Sequence, residues 1–406
     1  MAKNTLPFYK PRTDEKIIEE VADTIRSGWF TTGPKTKRFE KEIAKYVGID
    51  HVLCVNAATS GLELMLRWFG IKEGDEVIVP VYTYCATANV VVRCGAKPVM
   101  VDIRDDFNID VTRIKDAITE KTKIIIPVDI AGFPCDYDEI MELVNKPEIT
   151  GIFKPETKEQ EKLGRILVLS DAAHSFGPSY KGKKTGSICD TSVFSFHAVK
   201  NLTSGEGGAI CINFSNPFNN QEIYEYLNIN TLHGQNNDAL AKNNNGRWEY
   251  DVITAGFKFN MTDIHASIGL VEIQRYDSEN LQKRNTIFKS YDNAFSEHEW
   301  AILPVYETEE KNSSMHYYPL RIKNISITCR NQIIEKILAQ GINVNVHFKP
   351  LPILTLYKNM GYNMDDFPVA YDNYCREISL PVFYDLTEEQ QQQIIEAVIS
   401  SVNEVI

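Results

Sequence analysis

Residues 191–213 read TSVFSFHAVKNLTSGEGGAICIN, and the way this stretch folds decides the rest of the chain. Two short runs rich in β-branched and aromatic residues, 191–196 and 208–213, flank a segment of Ser, His, Lys and Gly. Such runs, apolar and bounded by turn residues, read as strands buried on both faces. Similar runs occur at 51–55, 76–80, 97–103, 123–130 and 165–173, with helical patterns at 59–70, 84–94 and 137–145. Strands alternating with helices predict an α/β domain built on a mostly parallel, seven-stranded sheet.

The texture changes towards the C-terminus. From Gly256 to His298 one long helical pattern runs on, with Thr262 as its expected N-cap. Beyond it, strands at MHYYPLRIK (315–323) and NVNVHF (343–348) mix with amphipathic helices at 330–341 and 387–406. This pattern predicts a large α/β domain over residues 1–280 and a smaller α+β domain over 281–406. The charged segment KPETKEQEKLGR (154–165) reads as a solvated excursion within the large domain.

Composition narrows the function classes. The chain has 406 residues, 43% hydrophobic and 24% charged, an ordinary globular balance. A net charge of −12 repels nucleic acid and anionic membranes, so an anionic substrate must be met by local donors. The start, MAKNTLPFYK, has no apolar signal core, and the run 77–92 is too short and too polar to span a bilayer. Eight cysteines are scattered without a CxxC pair, which implies neither zinc nor a disulfide framework. The expectation is a soluble, reduced, cytoplasmic protein without metal.

Four constellations can carry chemistry. In CVNAATSGLELML (54–66) a strand gives way to small residues and a helix. Thr59 and Ser60 could hold a phosphate at that helix start, or Thr59 could simply cap it. Neither a Walker loop nor GxGxxG is present, which removes the main support for ATP or dinucleotide binding. Tyr84, in VYTYCATANV (81–90), either stacks on a planar ligand or belongs to the core. In LVLSDAAHSFG (167–177) an apolar strand delivers Asp171 to its end, three residues before His174. That carboxylate either caps a turn or needs a cationic or N–H partner. Lys200 is poorly explained as a solvated charge. A lysine set among Ser195, His197 and glycines has the surroundings in which an amine loses proton affinity and forms Schiff bases. A single ligand meets all four: a phosphate for the helix, a flat ring for Tyr84, a ring nitrogen for Asp171 and a carbonyl for Lys200. Pyridoxal 5′-phosphate (PLP) has these parts.

With these motifs in view the chain resembles the DegT-type nucleotide-sugar aminotransferases of PLP fold type I. The resemblance runs from LPFYKP (6–11) through SGWFTTGPKTKRFEKEIAKYVG (27–48), DAAHSFG (171–177), GFKFNMTDIHASIGL (256–270) and VHFKPLP (346–352) to the final helix. It implies that Lys200 carries the cofactor, Asp171 pairs with the ring nitrogen and Tyr84 stacks on the ring. It also implies that Thr59, Ser60 and Ser195 surround the phosphate and that His174 lies beside the ring's phenolic oxygen. Thr31 and His347 are the implied substrate contacts. Where many members read GYNYRM this chain reads GFKFNM, so Lys258 stands where an Asn usually reaches the neighbouring subunit's phosphate. Dehydratase relatives carry histidine in place of the lysine, which excludes that chemistry here. The implied enzyme is a homodimer with shared active sites. By a ping-pong route it takes the amino group of L-glutamate and gives it to a nucleotide-linked keto-sugar. The flavour of DAAH and VHFKPLP points to C4 of a UDP-4-keto-6-deoxy-hexose, for surface polysaccharide or glycan synthesis. A C3 aminotransferase on a dTDP-keto-sugar and a catalytically weak PLP-binding regulator are the alternatives.

Overall fold

A computed structural model describes residues 5–236 and 249–406. Nine strands, β1 His51–Val55, β2 Glu76–Pro80, β3 Lys97–Val101, β4 Thr122–Ile125, β5 Leu167–Asp171, β6 Ser179–Tyr180, β7 Lys183–Lys184, β8 Thr191–Ser195 and β9 Gly208–Ile212, precede the C-terminal region. Seven of them form one sheet in the order β1-β9-β8-β5-β4-β2-β3, and β6 and β7 make a separate hairpin. The β2–β3, β2–β4, β4–β5 and β5–β8 pairs are parallel, and β9 runs antiparallel to both β8 and β1. The seven apolar runs of the sequence are these seven strands. Most of their residues are buried, because helices cover both faces.

The helix Ala58–Trp68 shows how closely those layers approach. A Cβ on Gly61 would lie 2.9 Å from Val193 and 3.1 Å from Ile210, so only glycine lets the helix rest directly on β8 and β9. The N-terminal helices Glu15–Ser27 and Pro34–Val47 pack against the helix Asp263–Gln274. There the Asp263 carboxylate accepts from Gly33 N (2.8 Å), Lys35 N (3.0 Å) and Thr36 N (2.8 Å), capping a helix over two hundred residues away in sequence.

Two readings of the sequence change and a third gains detail. Thr262 does cap its helix, its hydroxyl accepting from His265 N, but the long helix is broken. At Arg275 (φ −118°, ψ 7°) the backbone leaves the helical region and a π-helical segment, Tyr276–Leu281, leads into the helix Gln282–Phe295. Arg275 is held by Glu272 and Asp14 while the buried Tyr276 donates to Phe176 O, so side-chain anchoring overrides the periodicity. NVNVHF forms no strand. Asn345 spends its amide oxygen on Val346 N, His347 N–H goes to Glu377 and Ser379 side chains, and one bridge to Ser379 remains. The charged excursion holds a short helix, Lys158–Leu163, whose buried Gln160 donates to Phe69 O at 2.8 Å.

The C-terminal part has its own three-stranded antiparallel sheet, β10 Ala301–Ile302, β11 Tyr318–Ile322 and β12 Glu377–Leu380. A second apolar core gathers on it, with Phe288, Tyr291, Tyr318, Ile333, Ile378 and Val398 at its centre. The N-terminal arm joins this core through Leu6, which exchanges backbone hydrogen bonds with Gly341 (2.8 Å) and Asn343 (3.0 Å).

Candidate active site

Strand ends of the parallel sheet converge on a cavity of about 380 Å³. Its wall includes Thr59, Tyr84, Asp171, His174, Ser195 and Lys200 from the region of the seven-stranded sheet, and His316, His347 and Phe348 from the C-terminal part. Residues far apart in sequence thus meet because β1, β2, β5 and β8 are neighbours or near neighbours in one sheet.

Lys200 sits in the loop between β8 and β9. The loop is tied by Phe196 N to Gly207 O (2.8 Å), Ser204 N to Phe196 O (2.9 Å) and Lys200 N to His197 O (2.8 Å). Tyr9 of the N-terminal arm donates to Lys200 O at 2.9 Å, and Asn280 donates to Asn201 O at 2.6 Å. These bonds fix the backbone on both sides of the lysine. Burial lowers the Lys200 ammonium to about 8, against the opposing pull of the Asp171 charge. A neutral amine, the form that attacks a carbonyl, is therefore available near neutral pH.

Asp171 closes β5 and is buried. Its Oδ2 accepts from Thr87 Oγ1 at 2.8 Å and its Oδ1 from Ala173 N at 3.2 Å. Burial still raises its carboxyl, with the Thr87 and Ala173 bonds and Lys200 opposing. His174 is also buried, its Nδ1 has no hydrogen-bond partner among the described residues, and its ring lies 4.4 Å from that of His316 and 5.7 Å from Phe348. Burial first, then Lys200 and His347, hold it well below the ordinary histidine range.

The start of the helix Ala58–Trp68 differs from the simple capping alternative. Ala57, not Thr59, is the N-cap, and no side chain caps the helix. Ser60 turns back to Asn56 Oδ1 at 2.7 Å. Uncapped N–H groups at a helix N-terminus suit an anion. A Cβ on Gly208 would fall 2.6 Å from Ala58 N, so β9 can reach this helix end only without a side chain. Ser195, at the end of β8, completes this end of the cavity and accepts from His197 N at 3.4 Å.

Tyr84 is 59% exposed on the cavity wall, with Phe348 at 5.9 Å, and is not a core residue. His347 stacks on Tyr317 at 4.4 Å. Two expected contacts are not brought here by this chain. Thr31 is exposed away from the cavity wall, its carbonyl accepting from Asp263 N. Lys258 is exposed as well and donates to Asn260 Oδ1 at 2.6 Å.

Several residues here escaped the sequence reading. Thr87, which grips Asp171, lay three residues after Tyr84 in a quoted motif. Tyr84 itself precedes the helix Ala86–Arg93, and Thr87 N donates to Tyr84 O at 3.3 Å at its start. His316 and Asn201, joined at 2.7 Å, have no local signal because their contact links residues 115 apart in sequence.

The residues fit PLP: an uncapped helix end for the phosphate, a buried carboxylate for the ring nitrogen, a depressed lysine and a buried, unpartnered His174 Nδ1. Comparison with known proteins agrees. The pattern of the DegT/DnrJ/EryC1/StrS aminotransferase family matches residues 11–153 and 156–399. SpsC of Bacillus subtilis, named as a spore coat polysaccharide biosynthesis protein, is 35% identical over 399 residues, covering 97% of this chain and 96% of its own. Spr1654 of Streptococcus pneumoniae, assigned as a sugar aminotransferase and solved in a PMP form, superposes with a TM-score of 0.95 at 45% identity, covering 99% of this chain and 100% of its own. PseC of Helicobacter pylori, an aminotransferase of pseudoaminic acid biosynthesis, gives 0.86 at 29% identity, covering 98% and 100%. This chain belongs to the DegT/DnrJ/EryC1/StrS aminotransferase family and is a PLP-dependent, fold type I aminotransferase.

Proposed function

We propose that the enzyme moves the amino group of L-glutamate onto a nucleotide-linked keto-sugar, at C4 of a UDP-4-keto-6-deoxy-hexose, in the cytoplasm, for surface polysaccharide or glycan synthesis. The observation that carries the reading is the meeting of Lys200, Asp171 and the uncapped helix end in one cavity. The names of SpsC and PseC support the sugar and its use. Among the described residues no helix is long and apolar enough to cross a membrane.

PLP, when bound, supplies a carbonyl that takes up an amine and a ring that draws off electrons. The helix N–H groups at residues 58–59, with Thr59 and Ser195, would hold its phosphate, and Ser60 would join them by turning its hydroxyl from Asn56. Asp171, braced by Thr87 and Ala173, would pair with the ring nitrogen and keep it protonated. Tyr84 covers the ring. Lys200 Nζ would hold the cofactor and, as an amine lowered to about 8, would take and return the proton in each half-reaction. The large domain, 1–280, supplies these groups, and residues 281–406 supply the wall that meets the sugar.

Mass spectrometry of products from UDP- and dTDP-keto-sugars with glutamate tests the substrate. An amine at C4 of the UDP-linked 6-deoxy sugar is expected. Amination at C3, or only of dTDP-sugars, replaces that assignment.

The same reading makes the enzyme a homodimer in which Lys258 serves the partner's phosphate. Lys258 is exposed, and the segment carrying it starts far in sequence from Lys200. Mixing the inactive Lys200→Ala and Lys258→Ala variants is expected to restore activity, since one site of each mixed dimer keeps both lysines. Subunit exchange without recovery confines Lys258 to its own subunit or to no site.

A further inference from the structure

Behind the cavity wall lies a hydrogen-bonded chain that the chemistry of Lys200 leaves unused. Strand β12 sets Glu377 and Ser379 two residues apart, hence on one face, and both are fully buried. Ser379 Oγ lies 2.9 Å from His347 Nδ1 and 3.1 Å from His347 N, and its hydroxyl donates to Glu377 Oε1 at 2.5 Å. His347 N also donates to Glu377 Oε2 at 3.2 Å. His347 itself lines the cavity.

A serine hydroxyl has one donor and two acceptor sites. When its hydrogen points to Glu377, both acceptor sites are filled, by His347 N–H and by Nδ1–H. His347 Nε2 then carries a lone pair, which accepts from the exposed Asn345 Nδ2 at 3.3 Å until a substrate group takes that place. When the carboxyl is protonated, it donates to Ser379 Oγ, the hydroxyl turns to donate to Nδ1, and Nε2 carries a hydrogen. The hydrogen bond at one ring nitrogen decides what the other can do.

We propose that Glu377 and Ser379 are positioning residues that set whether His347 Nε2 donates to or accepts from the sugar substrate, through one proton passed along Nδ1, Oγ and Oε1. The proton count balances. A proton taken up at Nε2 releases the Nδ1 proton to Ser379 Oγ, whose own proton moves to Glu377 Oε1. The imidazole stays neutral throughout and the carboxylate becomes a carboxylic acid. The acid–base balance suits this direction: burial raises the Glu377 carboxyl to about 8, while burial and the Lys200 charge hold His347 down at about 3. The charged and titratable groups facing Glu377 are the Arg330 and Arg321 guanidiniums and the Tyr82 and Tyr317 phenols. Arg330 spends its hydrogen bonds on the carbonyls of Tyr374 (3.0 Å) and Glu377 (2.9 Å) and on Asn331 Oδ1 (2.9 Å), not on the carboxylate.

The inference rests on the proposed keto-sugar substrate, so the two half-reactions are measured separately on the holoenzyme. Ser379→Ala is expected to slow amination of the keto-sugar about 10-fold, the size of one lost buried hydrogen bond, and to leave the glutamate half-reaction unchanged. Ser379→Thr, which keeps the hydroxyl, restores the rate. In the 15N spectrum of labelled histidine, wild-type His347 exchanges its tautomer as pH crosses about 8, and Glu377→Gln holds one tautomer throughout. Equal loss in both half-reactions, an unchanged sugar rate in Ser379→Ala, or a wild-type tautomer insensitive to pH overturns the relay. If the wild type aminates no keto-sugar at all, the substrate reading fails, and the nitrogen spectrum alone decides the relay.

Discussion

Lys200→Ala is expected to cut amino transfer by about 10²–10⁴-fold, the range that one positioned proton-transfer group contributes, with the fold intact. Among the described residues the lysine loop is fixed through main-chain atoms, by Tyr9 on Lys200 O and by Lys200 N on His197 O, so the side chain can go without loosening it. Borohydride reduction of the holoenzyme followed by peptide mapping should place the pyridoxyl label on Lys200, and a label on another lysine removes the assignment. The same residue predicts a pH dependence. With its ammonium lowered to about 8, the neutral amine grows with pH up to that value and levels off above it. Cofactor capture by the cofactor-free protein should follow that curve. A rate still climbing beyond pH 10 would mark an ordinary exposed lysine.

Asp171→Asn is expected to retain the cofactor but to slow both half-reactions by about 10²–10³-fold, as when one preorganised electrostatic partner is removed. Retention follows because the helix end and Lys200 are untouched, and Thr87 can still donate to the amide oxygen. The loss follows because the amide carries no charge to keep the ring nitrogen protonated. In the cofactor-free protein the sign is different. Burial raises the Asp171 carboxyl above its unfolded value, so its ionisation costs stability once pH exceeds the unfolded pKa. The asparagine variant should therefore melt no lower than the wild type at pH 8. Stopped-flow rates with glutamate near those of the wild type would reduce the carboxylate to a turn cap.

The seven strands of the sheet were legible because each is a short apolar run, and burial on both faces leaves no polar alternation to confuse the pattern. Lys200, Asp171 and the helix after β1 were legible for a related reason. Each lies at or just past the end of a strand, where a parallel sheet exposes its ligand-binding edge. The chain order of strands does not reveal their order in the sheet, and it is the order β1-β9-β8-β5 that brings these three groups to one cavity. Local pattern failed wherever a distant side chain took over the backbone. Arg275 and Tyr276 break a helix that periodicity runs straight through, because Asp14 and Phe176 hold them. Residues 343–348 alternate like a strand, yet Glu377 and Ser379 claim the N–H that a ladder would need. The second set of site residues, Thr87, His316, Asn201 and the chain behind His347, is made of contacts between elements distant in sequence. The residue types that recognise a cofactor are written locally, since each must sit at the end of its own strand. Their partners, tautomers and proton affinities come from burial and from neighbours tens to hundreds of residues away, and only the folded chain puts those side by side.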